Sequence, residues 1–242
     1  MSTKLAALAG ACLVVAGCAG APVDDRPVVR IAEAARPAPV VPLGGFLPTT
    51  QEMAMALGTG ATGFTGQLVE GGPEALLRTV DAGQAAPRDC LGAAYRLQKA
   101  AYDGSPVRSV ATNSWAGGNF DSPPVTGYFG VVQMANPAAA QSFFAQASNR
   151  WRQCNGQTVT REQVGAGEMS RVADVAFEDG VVRANVLHTS GGGVPAPTAQ
   201  RAVALAGDCI IEVEITDPRP VAAAQPAVGV ADLIADKIAM QR

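Results

Sequence analysis

The chain has 242 residues, of which 48% are hydrophobic and 16% charged, with a formal net charge of −3. That length and composition suffice for one sizeable domain with a real core. With no basic block, nucleic-acid binding has no electrostatic footprint.

The chain opens with a processing signal. Lys4 is the positive n-region, Leu5 to Ala16 is an apolar h-region, and Val15-Ala16-Gly17 leads directly into Cys18. This pattern resembles a bacterial lipobox, in which the peptide is cut before a cysteine that carries the acyl (palmitoyl) chains. The apolar run is too short to span a bilayer as a stable helix. Residues 1–17 are therefore expected to be a lipoprotein signal peptide, and Cys18 the lipidation site and sole membrane attachment. The expected location is the extracytoplasmic face of the cell membrane. Cys12 is lost with the signal, which leaves Cys90, Cys154 and Cys209 in a compartment that permits disulfides. Three cysteines allow three pairings.

Residues 18–45 read as a linker. Between Ala21 and Thr49, prolines 22, 27, 37, 39, 42 and 48 punctuate a stretch rich in Ala and Val, the composition of a semi-extended spacer. The folded domain is expected over 46–242. Thr49 with Glu52 is a capping box for a short helix over Gln51 to Leu57, closed by Gly58. Gly58, Gly60 and Gly63 then spell GxGxxG, and Tyr95 with Lys99 makes a YxxxK pair, as in short-chain dehydrogenases. A dinucleotide loop must follow a buried strand and open a long helix. Here it follows a capped helix, and Gly71-Gly72-Pro73 stops what comes after, so a glycine-rich loop is the better reading.

Pro87-Arg88-Asp89 opens an expected helix running to about Ala101, with Cys90 at its buried start. From Val107 the pattern alternates, predicting a strand to Trp115 and a second, buried one over Gly127 to Met134. The clearest helix follows. Asn136 caps it, Pro137 occupies its first turn, and Ala140, Phe144, Ala147, Trp151 and Cys154 share one face. Strands are then expected at Thr158 to Thr160, Arg171 to Phe177 and Val181 to Thr189, the last two joined at Glu178-Asp179-Gly180. A second hairpin turns at Gly207-Asp208. In its second strand Cys209, Ile211, Val213 and Ile215 face one side while Glu212 and Glu214 face the other. Val230, Ile234 and Ile238 mark a closing helix. Short turns between consecutive strands mean an antiparallel sheet with helices packed on it, an α+β domain.

Several stretches together resemble one known family. Phe46-Leu47-Pro48 precedes the first helix, and Pro87 to Cys90 leads into Leu-Gly-Ala-Ala-Tyr. Ala101 to Ser105 precedes a strand. Ala140, Phe143, Phe144, Trp151 and Cys154 mark the long helix, Gln200-Arg201-Ala202 precedes a valine-rich hairpin, and Val230 to Ala239 closes the chain. Their order and spacing are similar to the PknH-like extracellular sensor domain of mycobacteria and their relatives. That resemblance implies a single α+β domain with a cleft beside a strongly twisted antiparallel sheet, and ligand sensing in the cell envelope. It implies a disulfide between Cys90 and Cys154, whose long loop contributes ~4 kcal/mol by chain entropy. The family's second bridge lacks its partners here, since Ala199 holds one position and Ile215-Thr216 ends the late strand. Cys209 is then an additional thiol outside the bridge.

Catalytic and metal chemistry find little support. His188 is the only histidine, and it falls late in a strand where a solvent-facing role is expected; a hydrolytic triad would need a nucleophile and an acid around it. There is no credible zinc set and no calcium loop, and no cofactor is implied. Trp151 reads as core. Trp115, Tyr128 and Tyr95 are better candidates for a cleft wall, and Arg183 and Arg201 for meeting an anionic envelope component. The reading favoured is a non-catalytic, lipid-anchored sensor domain whose partner is an envelope small molecule, lipid or protein. The alternatives are a protein-interaction lipoprotein docking through an exposed hairpin edge such as Val181 to Leu187, and an envelope hydrolase using His188.

Overall fold

The structure is a computed structural model, which describes residues 42–60, 63–118, 123–161, 167–189, 198–219 and 225–241. The expected signal peptide, Cys18 and the linker up to residue 41 lie outside the described residues. One ten-stranded antiparallel sheet carries the fold. In chain order the strands are β1 (Gly63–Thr65), β2 (Val69–Gly71), β3 (Ala85–Ala86), β4 (Val107–Gly117), β5 (Val125–Met134), β6 (Thr158–Arg161), β7 (Glu168–Glu178), β8 (Val181–Thr189), β9 (Ala199–Ala206) and β10 (Cys209–Thr216). They lie side by side as β1-β4-β5-β10-β9-β8-β7-β6-β3, with β2 also on β4. The fold is the expected mixture of helices and an open antiparallel sheet.

Helices cover both faces. On one lie α1 (Thr50–Leu57) and α4 (Pro226–Gln241), packed on Ile211, Val213 and Ile215 of β10 and on Trp115, Phe129 and Val131. On the other lie α2 (Leu91–Ala94) and α3 (Pro137–Gln153), packed on Val132, Val182, Val203 and Ile210. Strand alternation produces this split, because successive side chains of β10 point to opposite faces and each face is buried by its own helices.

Local chemistry sets the helix ends. Thr49 accepts from the Glu52 amide at 3.3 Å while the Glu52 carboxylate accepts from the Thr49 amide at 2.7 Å, completing the capping box. Gly58 closes α1 in the left-handed region at φ 59°. Asn136 caps α3 by accepting from the Ala139 amide at 2.9 Å. The turn Leu43–Phe46 already belongs to the core, with both of those residues buried.

Three expectations give way to tertiary contacts. The helix expected from Pro87 to Ala101 is broken into a 3-10 turn (Arg88–Cys90), the single turn α2 and a second 3-10 turn (Lys99–Ala101). Between them Tyr95 is extended and Leu97 takes φ 50°, an uncommon conformation for a bulky side chain. The break is stabilised by long-range partners: the Leu97 amide donates to Glu212 at 2.9 Å, and the buried Gln98 side chain accepts from the Val80 amide at 3.0 Å. Part of the glycine-rich stretch is not loop, since Gly63–Thr65 pairs with β4. Finally, Val181 to Leu187 is not an edge. Val181 to Val186 lies between β7 and β9, paired with β9 along its length and with β7 around a bulge, which removes it as a site for strand addition.

Candidate functional site

A cleft of about 310 Å³ opens between α3 and the segment 88–105. Phe143, Gln146, Ala147 and Arg150 of α3 form one wall. Arg88 and Asp89 stand opposite with Leu91, and Asp103 lies on the same segment. Val203, Trp151 and Glu212 form the floor. The buried stripe of α3 is Ala140, Phe144, Ser148 and Trp151. Ala147, expected on that stripe, instead turns partly outward to line the cleft, and Phe143 stacks on Tyr102 with ring centroids 4.5 Å apart.

The floor is ionic and buried. Glu212, Glu214 and Arg201 are all buried on the α3 face. Arg201 stands directly opposite Glu214 in the β9–β10 register and diagonal to Glu212. Its Nη2 donates to Glu212 Oε2 at 2.6 Å and its Nη1 to the Gly92 carbonyl at 2.7 Å, while its Nε lies 3.7 Å from Glu214. The Trp151 ring covers the guanidinium, with Cζ 5.1 Å from the ring centroid. Tyr102 donates to Glu212 Oε1 at 2.6 Å. Burial, reinforced by the Glu212 charge, pushes the Tyr102 phenol well above its ordinary range, so it stays protonated as that donor. Arg96 bonds Glu214 at 2.5 Å and lies 3.6 Å over the Tyr128 ring. Two carboxylates thus meet two guanidiniums, and the carboxylate nearest the cleft is held by three donors.

A disulfide joins Cys90 to Cys154 across a sequence separation of 64. It ties the turn that carries Arg88 and Asp89 to the end of α3, fixing the two walls to each other. Cys209 stays outside the bridge, buried, with its Sγ 3.5 Å from Asp208.

The four residues expected to line a cleft do not converge. Trp115 is only 2% exposed and belongs to the α1/α4 core, where its ring lies against Gly63. Arg183 lies on that same side, lining a smaller hollow of about 200 Å³ with Glu178, Asp179 and Asp232. Burial, then the neighbouring Asp236 and Asp179, raises the Asp232 carboxyl above its usual range. Tyr128 and Arg201 share the α3 face, Tyr128 partly exposed beneath Arg96 and Arg201 fully buried beneath the cleft floor. The residues that line the cleft are mostly ones the sequence offered no reason to choose. Arg88, Asp89, Asp103 and Arg150 are ordinary surface charges until the fold places them around one opening.

His188 lies in a second polar cluster. Its Nδ1 is 2.8 Å from Ser170 Oγ and 3.4 Å from Glu168 Oε1, and Ser170 also lies 3.1 Å from the Tyr95 hydroxyl. Burial lowers the His188 pKa below its ordinary value, partly offset by Glu214 and Glu168. Serine and carboxylate both approach the same ring nitrogen. A relay needs them on opposite nitrogens, so that one orients the ring while the other gives up its proton. The fully buried Ser170 is also closed to a substrate. Among the described residues no group of His, Cys, Asp and Glu is arranged to hold a metal ion, and no helix is long and apolar enough to cross a membrane.

An open antiparallel sheet with helices on both faces, a disulfide and a walled cleft make up the domain, and the disulfide suits a compartment where such bonds persist. The chain belongs to the PknH-like extracellular domain family, whose model matches residues 38–237. Its fold is similar to the crystal structure of the extracellular domain of PknH from Mycobacterium tuberculosis, at 19% identity over 81% of this chain and 93% of that one, with a TM-score of 0.64. At that identity the likeness is one of fold. A second solved structure, an uncharacterised protein of Mycobacterium smegmatis, matches at 12% identity over 83% of this chain and 97% of that one, with a TM-score of 0.42. No curated protein matches.

Proposed function

We propose that this chain is a lipid-anchored, non-catalytic sensor domain on the extracytoplasmic face of the cell membrane, and that it binds a small envelope ligand in the cleft between α3 and the segment 88–105. The observation that carries the reading is the cleft itself: a preformed, partly apolar hollow with convergent polar groups and a buried ionic floor. Its charges are held by one another, which suits recognition better than proton transfer. The lipobox ending at Cys18 supports the anchor.

The ligand half is tested by filling the hollow. Ala147→Trp places an indole in the cleft without touching the ionic floor. Mass spectrometry of small molecules and lipids extracted from protein purified out of its native envelope is expected to show a species with the wild type that is absent from A147W. Identical extracts from the two proteins overturn the cleft as a binding site. The anchor is tested separately by intact mass. A chain beginning at Cys18 and carrying acyl groups is expected, and a chain without acyl groups removes the anchor.

A further inference from the structure

Nine large hydrophobic side chains are well exposed among the described residues, and four of them, Met55, Phe64, Leu68 and Val69, fall within one short stretch. Sheet register shows how part of that stretch is displayed. β1 and β2 both pair with the same side of β4, Phe64 opposite Ala116 and Val69 opposite Thr112. Residues 112, 114 and 116 of β4 share one face, so Phe64 and Val69 project to that face as well. Tyr128 joins them from the next strand, opposite Ser114. Phe64 is 70% exposed, Val69 45% and Tyr128 39%, with only small residues between them. The α3 face is thus covered by helices at one end and presents an aromatic and aliphatic corner at the other. Arg96, lying over the Tyr128 ring, puts a guanidinium at its border.

The edge strand β2 that carries Val69 also holds, on its opposite face, the turn near which the described chain begins. The Gly44 amide donates to the Glu70 carboxylate at 3.0 Å, and a Cβ built on Gly44 would lie 2.8 Å from the Leu68 side chain. The turn through which the anchoring segment reaches the domain is therefore bonded to β2 itself. About two dozen residues separate Cys18 from that turn, a fully extended reach of roughly 80 Å. That length lets the β1–β2 edge reach the bilayer; Phe64 and Val69 stand on this edge on the α3 face, while Leu68 points to the other face with Gly44. An exposed Phe and Val flanked by a Tyr and an Arg is the composition that partitions into the boundary between headgroups and acyl chains.

We infer that this corner is a membrane-contact surface: Phe64, Val69 and Tyr128 insert into the headgroup boundary of the phospholipid bilayer to which the chain is tethered. The inference rests on the anchor reading for the tether, while the affinity it assigns belongs to the domain alone. A chain of residues 42–242 suits the test, because both cores and the disulfide are built from residues within it. The assay is flotation with vesicles of equal parts phosphatidylcholine and phosphatidylglycerol, over a range of lipid concentrations. The wild type is expected to float. Phe64→Ser/Val69→Ser should lower its partition coefficient by about tenfold or more, from the apolar surface withdrawn. Phe177→Ser, a half-exposed aromatic on β7, should leave it unchanged. Three results overturn the surface: no flotation of the wild type at millimolar lipid, a double variant that floats like the wild type, or an equal loss in F177S. Intact mass of the envelope protein reports on the anchor independently. Acylated Cys18 with no flotation sinks only the surface, and flotation without acylation sinks only the anchor.

Discussion

Arg201 is the residue on which the buried floor depends, and replacing it by methionine tests the electrostatic argument directly. The side chain is fully buried and serves Glu212, Glu214 and the Gly92 carbonyl together. In Arg201→Met the volume is nearly kept, but Glu212 retains only Tyr102 and the Leu97 amide, and the Gly92 carbonyl loses its donor. Glu214 retains Arg96. Removing one partner of a buried ion pair costs about 3–5 kcal/mol, because an uncompensated charge remains in a poorly polarisable place. With a urea m-value of about 1–3 kcal/mol per molar, the unfolding midpoint should fall by about 1 M or more. Urea titration of residues 42–242 at pH 7, followed by circular dichroism, measures this with m as a control on two-state behaviour. Arg201→Met/Glu212→Gln removes the stranded charge and should recover half or more of the loss. A single variant within about 0.5 kcal/mol of the wild type, or a double variant less stable than the single, refutes the account.

Two further outcomes follow from the same geometry. Cys90→Ala/Cys154→Ala should cost about 4 kcal/mol, the chain-entropy value for a loop of this length. Thiol titration of residues 42–242 in guanidinium should find one thiol before reduction and three after, and three beforehand would contradict the bridge. His188 gives a pH dependence of definite sign. Burial holds its folded pKa below the unfolded value of about 6.5, so the unfolded chain binds the proton more readily. The contribution is complete above pH ~6.5 and declines as pH falls from there toward the folded pKa. His188→Asn should flatten that part of the stability profile, and an unchanged slope in the variant would assign it elsewhere.

The pairing within the ionic floor was legible in the sequence, and its burial was not. A two-residue turn at Gly207-Asp208 fixes the hairpin register, and counting outward from that turn sets Arg201 opposite Glu214. Counting residues says nothing of what covers them. Alternation assigns Glu212 and Glu214 to the face away from Ile211 and Val213, and a strand with one polar face reads equally well against water or against another layer. The broken helix at 95–98 shows the same limit. Its sequence favours a continuous helix, and the break is stabilised by acceptors more than a hundred residues away. The cleft walls come from segments some sixty residues apart, brought together by the disulfide and by packing on one sheet.

The sequence by itself determined the elements whose causes are local: the capping box of α1, the Asn-Pro start of α3, the two hairpin turns and the alternation of β10. Each depends on residues within a turn or two of one another, so neighbours along the chain suffice. Tertiary structure alone decided which face of the sheet each helix covers, that two glutamates and an arginine lie buried under α3, and which scattered charges surround one cleft. Those outcomes depend on strand order and on the exclusion of water by distant segments, and nothing in a local stretch encodes them.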